Sequence, residues 1–171
     1  MPRNLELKAR ISSLAVARDD ARLCGARFIA ALRQTDTYFA VPYGRLKLRE
    51  TDGERGELIY YNRDESRDER WSHYTLIPLS GPAALRDILS GSMGIAAVVR
   101  KAREVFFHGQ SRIHLDEVDG LGTFIEFEVQ GSGEAESLQE MEFLRKAFHV
   151  VPEGIVRSSY ADLVVEGGIR R

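Results

Sequence analysis

The sequence predicts an α+β fold with a core made mainly of β-strands. Strand-like segments with alternating apolar and polar residues outnumber the helical segments. Turn residues at short intervals, such as Pro42-Tyr43-Gly44, Asp52-Gly53 and Asp119-Gly120, indicate antiparallel connections. The 171 residues suffice for one domain over residues 1–171 that buries its own core.

The first strand is predicted over residues 4–11, where apolar odd positions alternate with polar even positions. Further strands are predicted at residues 36–41, 45–51, 58–63, 73–79, 95–107, 112–118 and 123–130. The Asp119-Gly120 pair predicts the hairpin between the last two strands.

Helices are predicted between these strands. Residues 16–32 contain no proline, carry a rough apolar stripe and follow two candidate N-caps, Ser12 and Ser13. Residues 82–89 open on a proline, which fits a first helical turn. Residues 132–148 form an amphipathic pattern with acids in the first turn, and residues 158–165 are expected to add one or two helical turns.

Composition limits the function classes. The formal net charge is −2 and the pI is near 6.1, which argues against a general nucleic-acid binder, because such binding needs excess Lys and Arg. One cysteine, Cys24, fits a reducing compartment. No stretch approaches the roughly 20 apolar residues of a membrane span, so we expect a cytoplasmic protein without a membrane partner. We expect the oligomeric state to be a monomer or a homodimer.

Ionisable residues recur two positions apart on the predicted strands, which places each set on one face of its strand. A sheet with one face on the core and the other in water explains any single pair. The sets are Glu6 and Lys8; Lys47 and Arg49; Lys101 and Arg103; Arg112, His114 and Asp116; and Glu126 and Glu128.

The uneven distribution of charge favours a second interpretation. Basic residues dominate some strands, whereas Glu126 and Glu128 share another. If the sheet closes with its apolar face outward against helices, its polar faces line a lumen with a basic wall and an acidic cluster. Lys and Arg neutralise phosphate oxygens, and clustered carboxylates bind hard cations such as Mg²⁺ or Mn²⁺. Such a lumen suits a polyanion and a divalent cation.

The order of these motifs resembles the CYTH family of triphosphate tunnel metalloenzymes, which includes class IV adenylate cyclases, thiamine triphosphatases and inorganic triphosphatases. The match extends from Asn4 to Glu128, and residues 159–163 resemble the family's C-terminal segment. The motifs are Asn4-Leu5-Glu6-Leu7-Lys8, Gln34-Thr35-Asp36-Thr37-Tyr38-Phe39, Leu46-Lys47-Leu48-Arg49, Arg100-Lys101-Ala102-Arg103, and the Leu115 to Glu128 run.

The resemblance implies a closed barrel of eight antiparallel strands, a tunnel with helices packed outside, and Mg²⁺ or Mn²⁺ as cofactor. It implies that Lys8 and Glu126 act in catalysis. The implied metal ligands are Glu6, Glu126 and Glu128, with Asp116 nearby as a further ligand or as a residue that supports the ligands. The implied triphosphate-binding residues are Lys8, Lys47, Arg49, Arg63, Lys101, Arg103 and Arg112.

One position departs from the family pattern. The first acid of the family's opening Glu-x-Glu-x-Lys motif is Asn4 here, which offers a carbonyl oxygen but no charge. Glu6, Glu126 and Glu128 then supply the main negative charge for a metal, and binding of a second metal ion is in question.

The leading hypothesis is a metal-dependent hydrolase of a small-molecule triphosphate: tripolyphosphate, thiamine triphosphate or a nucleoside triphosphate. The first alternative is a class IV adenylate cyclase, although the His-Phe pair that often precedes the opening motif in that branch is missing. The second is a non-catalytic nucleotide or polyphosphate binder. His114 is expected to be a hydrogen-bonded histidine or a proton donor, and Trp71 and Tyr74 to anchor the core or a loop or to stack on an organic ring.

Overall fold

The computed structural model describes residues 3–63, 70–130 and 133–168, without the side chains of residues 3, 63, 70 and 72. The described residues form eight antiparallel strands: β1 (Arg3–Arg10), β2 (Arg27–Phe39), β3 (Arg45–Thr51), β4 (Arg55–Arg63), β5 (Arg70–Ser80), β6 (Ile95–His108), β7 (Ser111–Val118) and β8 (Gly122–Val129). Neighbouring strands in the sheet follow the order β1-β5-β4-β3-β2-β6-β7-β8. The predicted set of eight antiparallel strands is confirmed.

The sheet curls so far that β1 pairs with both β8 and β5. Its pairing with β5, however, covers only the four residues from Arg3 to Glu6. Beyond them the C-terminal segment lies along β1: Ala9 forms a bridge with Ile155, and the Val156 amide donates a 2.9 Å hydrogen bond to the Lys8 carbonyl. The sheet is therefore a half-barrel that is open along this edge, and the prediction of a closed barrel is corrected accordingly.

The first predicted helix is too long. The helix α1 (Leu14–Leu23) begins at the N-cap Ser13, whose side chain accepts from the Val16 amide at 3.2 Å. The backbone turns at Gly25, where φ is +83°, a conformation that glycine adopts readily. Residues from Arg27 onward belong to β2, because pairing with β6 along most of the strand outweighs the helical propensity of this alanine-rich stretch.

The remaining helices lie near their predicted positions. They are α2 (Ala83–Met93), α3 (Glu134–Ala147) and α4 (Tyr160–Glu166). The two polar residues at the start of α4 form a capping box: Asp162 donates its amide to the Ser159 hydroxyl at 3.1 Å and accepts from the Ser159 amide at 3.0 Å. None of the helices among the described residues is both long enough and apolar enough to cross a bilayer.

Two apolar clusters cover opposite faces of the sheet. On the outer face, α1 and α3 bury Leu7, Ile113 and Phe127, each no more than 1% exposed. On the inner face, α4 packs against Val99 and Phe124. The inner face also carries the charged residues, because alternate residues of a strand share one face. Most helices pack outside as expected, but α4 covers one end of the inner face.

Candidate functional site

The inner face encloses a cavity of about 230 Å³, which residues of all eight strands line. The N-cap of α4, Ser159, and the first residue of this helix, Tyr160, also line it. Cations dominate its charged lining, and such a cavity attracts anions. The charged lining residues among those described are Glu6, Lys8, Lys47, Arg49, Lys101, Arg103, Arg112, Glu126 and Glu128.

The carboxylates converge because of strand register. Glu6 on β1 lies directly opposite Glu128 on β8, and Lys8 lies opposite Glu126. Directly opposed side chains have Cβ atoms about 5 Å apart, so two carboxylates in such a pair repel each other unless a cation compensates. In the Lys8–Glu126 pair the charges are opposite, and Lys8 Nζ lies 3.3 Å from Glu126 Oε1. Glu128 also contacts a cation, Arg112, with 3.4 Å between Oε2 and Nη1. The opposed carboxylates of Glu6 and Glu128 are oxygen ligands of the kind that a divalent metal prefers.

The electrostatic environment keeps both glutamates of β8 ionised. Burial alone would raise the pKa of Glu126, but the charges of Lys8 and Arg103 outweigh it and hold that pKa well below its ordinary value. The pKa of Glu128 is also lowered, against the effect of burial, by nearby His114 and Arg112. Both carboxylates therefore offer charged oxygen ligands at neutral pH.

Asn4, the residue that departs from the family motif, lines the same cavity and is only 3% exposed. Its Oδ1 atom is buried and has no hydrogen-bond partner among the described residues. An unsatisfied buried carbonyl oxygen costs free energy, and oxygen ligands of this kind suit Mg²⁺ and Mn²⁺. Together with the opposed glutamates, this atom makes the chemistry of the site fit a divalent metal.

Asp36 holds three cations of the cavity lining in position, Lys47, Arg49 and Lys101, which together we call the basic wall. Arg49 donates two hydrogen bonds to it, from Nε to Oδ1 at 2.7 Å and from Nη2 to Oδ2 at 2.8 Å. The amines of Lys47 and Lys101 lie 3.0 Å and 3.4 Å from Asp36 Oδ2. Burial would raise the pKa of Asp36, but these cations hold it well below its ordinary value. Asp36 is 1% exposed and does not line the cavity, whereas all three cations do.

Asp116 is already engaged by other side chains. Arg103 donates from Nε to its Oδ1 at 2.7 Å, and the Tyr160 hydroxyl donates to its Oδ2 at 2.8 Å. It is fully buried and lies outside the cavity lining. Across the described part of the chain, no three His, Cys, Asp or Glu side chains are grouped as a metal site. The role of Asp116 as a metal ligand stays a prediction. Its observed contacts are those of a residue that orients Arg103.

Two titratable groups of the inner face have a pKa well below its ordinary value. Burial and the charge of Arg103 lower the pKa of Lys101 from 10.5 to about 7. Burial and the same guanidinium group lower the pKa of His114 to about 3. His114 Nδ1 is 3.7 Å from Glu128 and has no hydrogen-bond partner among the described residues. A neutral ring with so low a pKa is a poor proton donor at neutral pH, which argues against the proton-donor role expected for His114. The hydrogen bond expected for this histidine is not observed at Nδ1.

The structure brings nearly all the predicted site residues into one cavity, although their roles stay predictions. The side chain of Arg63 lies outside the described residues. Sequence reasoning missed Asp36 and Tyr160. Asp36 shares a face with Gln34 and Tyr38 within a quoted motif, so strand alternation could have indicated it. No sequence pattern indicates that Tyr160 lies against the inner face of the sheet.

Comparison with known proteins decides the family. The model of the CYTH domain family matches residues 2–159. The chain belongs to the CYTH family. This CYTH protein is 25% identical to a Methanocaldococcus jannaschii protein whose name assigns it provisionally to the adenylate cyclases, over 93% of this chain and 97% of that one.

Solved structures share the fold. A Pyrococcus horikoshii protein superimposes with a TM-score of 0.84 at 20% identity, over 94% of the CYTH chain and 98% of its own. A Hippeastrum protein, described as an adenylyl cyclase candidate with a dominant triphosphatase activity, superimposes with a TM-score of 0.68 at 14% identity. That match covers 98% of the CYTH chain and 97% of the Hippeastrum chain. Family membership implies an enzyme that uses a divalent metal and a triphosphate substrate.

Proposed function

We propose that this protein hydrolyses the terminal phosphoanhydride bond of a small-molecule triphosphate with Mg²⁺ or Mn²⁺. The observation that carries the proposal is the presence of two kinds of charged side chain in one cavity. The cations Lys47, Arg49 and Lys101 line it together with the opposed carboxylates of Glu6 and Glu128. Cations in an enclosed site bind phosphate oxygens, and Arg does so with two parallel hydrogen bonds.

Asp36 holds this basic wall in position before substrate arrives. Because Arg49 and Lys47 are already fixed by hydrogen bonds at 2.7 to 3.0 Å, little side-chain entropy is lost when a triphosphate binds. The same fixed charges stabilise the negative charge that develops on the leaving diphosphate. Water attacks the terminal phosphorus while the bridging P–O bond breaks, and the proton of the water passes to solvent or to the leaving group.

Glu6, Glu128 and the Asn4 carbonyl oxygen would hold the metal. A bound divalent cation polarises the phosphoryl group and lowers the pKa of water. Glu126 is ionised and lies 3.3 Å from Lys8 Nζ, so this pair is suited to orient the attacking water by accepting and donating hydrogen bonds. Lys8 is fixed further by its 3.3 Å hydrogen bond to the Ser158 carbonyl.

The experiment measures phosphate release from tripolyphosphate, thiamine triphosphate, ATP and GTP with Mg²⁺ or Mn²⁺. Glu126→Gln and Glu128→Gln should abolish turnover while the circular dichroism spectrum stays unchanged. Glu142→Gln is the matched control, because this glutamate lies on α3, has a side chain that is 53% exposed and does not line the cavity. Metal-dependent activity retained in both cavity variants would refute the assignment, as would tight triphosphate binding without any product.

A second candidate, formation of cyclic AMP and diphosphate from ATP, is favoured by the name of the Methanocaldococcus jannaschii relative. In that reaction the ribose 3′-hydroxyl attacks the α-phosphorus, so the nucleotide must bind in a different register. Against it, the Hippeastrum neighbour is described as having a dominant triphosphatase activity. Chromatography of the products from ATP and Mn²⁺ separates the two candidates, because only the cyclase yields cyclic AMP.

A further inference from the structure

The same cavity has an uncharged aromatic wall that the proposed hydrolysis does not use. Ile59 and Tyr61 of β4, with Tyr74 and Leu76 of β5, line it. Tyr61 lies opposite Tyr74, and Ile59 lies opposite Leu76. These four residues therefore form one continuous patch on adjacent strands, which we call the aromatic wall.

The aromatic wall lies directly beside Lys47, one of the cations proposed to bind phosphate. Lys47 lies opposite Ile59 in the β3–β4 pair, and its Nζ is 5.7 Å from the centre of the Tyr61 ring. Arg45 lies two residues from Lys47 on β3, about 7 Å away. It lies opposite Tyr61. Arg45 donates a 2.8 Å hydrogen bond to Asp162 of α4 and does not line the cavity. A phosphate bound to Lys47 would therefore lie next to Ile59 and Tyr61 of the aromatic wall.

The aromatic wall is more than filling for the core. Tyr61 is 7% exposed and belongs to the cluster under α4. Tyr74 packs against the same cluster but is only half-buried, and Leu76 keeps 41% of its surface exposed. Core residues fill space to near crystal density, whereas these two side chains border open cavity. Aromatic rings at such a position stack on planar groups.

We propose that the aromatic wall binds the uncharged planar ring of a nucleoside triphosphate, so that this protein selects nucleotides over inorganic tripolyphosphate. The inference rests on the proposed function and names its substrate class. Stacking on an aromatic side chain is available to every base, because each base has a π-face. Tyr74 is then a specificity-determining residue.

The charges around the aromatic rings oppose a cationic ring such as thiazolium. Lys8 Nζ is 4.1 Å and Lys101 Nζ 5.3 Å from the centre of the Tyr160 ring. Lys47 Nζ lies 5.4 Å from the centre of the Tyr38 ring. Ammonium groups therefore already interact with the ring faces next to the phosphate site, and a positively charged ring would add a like charge at short range.

The test compares Tyr74→Leu with the wild type on ATP, GTP, thiamine triphosphate and tripolyphosphate. We expect the wild type to have its highest kcat/KM with a nucleoside triphosphate. In Tyr74→Leu we expect KM for the nucleotides to rise about tenfold, the size of one lost stacking contact, and KM for tripolyphosphate to stay unchanged. Tyr43→Leu is the matched control, since Tyr43 is 81% exposed and outside the cavity lining.

Equal changes for ATP and tripolyphosphate in Tyr74→Leu would overturn the inference, as would a wild-type preference for tripolyphosphate or thiamine triphosphate. Calorimetric titration with ATP and tripolyphosphate separates this failure from failure of the proposed function. If no triphosphate is turned over, the hydrolase assignment fails. Tighter binding of ATP than of tripolyphosphate, lost in Tyr74→Leu, would still support the aromatic wall, and equal affinities would refute it.

Discussion

The Asp36 carboxylate and the Arg49 guanidinium group face each other in a two-point ion pair, with N–O distances of 2.7 and 2.8 Å. The register places the two residues directly opposite each other on β2 and β3. The ion pair is buried, and Lys47 and Lys101 converge on the same carboxylate. One anion thereby fixes three cations that face the cavity.

We expect Asp36→Asn to lower the free energy of unfolding by about 3 to 5 kcal/mol, because it leaves buried cations without their counter-charge. Tripolyphosphate should raise Tm more in this variant than in the wild type, since it supplies the missing negative charge. Thermal unfolding with and without tripolyphosphate measures both effects. Asp19→Asn, at a side chain 66% exposed, is the control; a Tm for Asp36→Asn equal to that of the control would contradict the prediction.

Triphosphate binding should take up a proton through Lys101. Its pKa is about 7 in the ligand-free protein, and a bound anion favours the charged amine and raises that pKa. Calorimetry near pH 8 in buffers of different ionisation enthalpy measures the uptake. We expect it to disappear in Lys101→Met, and an uptake that persists there would place the titrating group elsewhere.

The lowered pKa of Lys101 also fixes the direction of one pH effect on stability. Between pH 7 and about 10.5, the unfolded chain binds a proton at this lysine that the folded chain has lost. This residue therefore destabilises the ligand-free fold below pH 7, and its contribution becomes more favourable as pH rises through that window. Denaturant unfolding across pH 7 to 9 should show a smaller rise in stability for Lys101→Met than for the wild type.

Asn4→Asp should strengthen metal binding. The substitution keeps the shape of the side chain and adds a charge on the strand face that carries Glu6. Without metal we expect a lower Tm, because carboxylates of like charge are then adjacent; with Mn²⁺ we expect a larger rise in Tm than in the wild type. Asn62→Asp, on an exposed residue of β4, is the control. An unchanged Mn²⁺ response in Asn4→Asp would exclude Asn4 from the metal site.

Asp162→Asn should loosen α4. The Asp162 carboxylate accepts from the Ser159 amide at 3.0 Å and from Arg45 at 2.8 Å, and loss of a cap of this kind costs about 1 kcal/mol. We expect faster hydrogen exchange at the amides of α4 and unchanged exchange in α1. Ser13→Ala, which removes the cap of α1, should give the reverse pattern. Uniform exchange changes in both variants would contradict a local role.

The pKa of Asp162 is lowered in the folded state, against the effect of burial, by hydrogen bonds from Ser159 and Arg45. Its stabilising effect is therefore complete above the unfolded pKa and is lost as pH falls through the lower folded value. Exchange in α4 should accelerate below pH 4 in the wild type. It should be nearly independent of this ionisation in Asp162→Asn, after correction for intrinsic exchange rates.

Most of the charged lining of the cavity was predictable because period-two alternation is a local property. Glu126 and Glu128 must share a face wherever β8 lies, and so must Lys101 and Arg103 on β6. The extent of α1 was not predictable in the same way. Residues 27–32 have helical composition, and only their pairing with β6 makes them a strand.

The sequence by itself determined which side chains share a face, which segments are strands over most of their length, and that Asn4 breaks the family motif. Only the tertiary structure decided which faces meet. Registers between distant strands set Glu6 against Glu128 and Asp36 against Arg49, and the C-terminal segment, rather than β5, took the second half of β1. Local alternation orients side chains relative to their own strand, whereas contacts between strands depend on how the whole sheet curls.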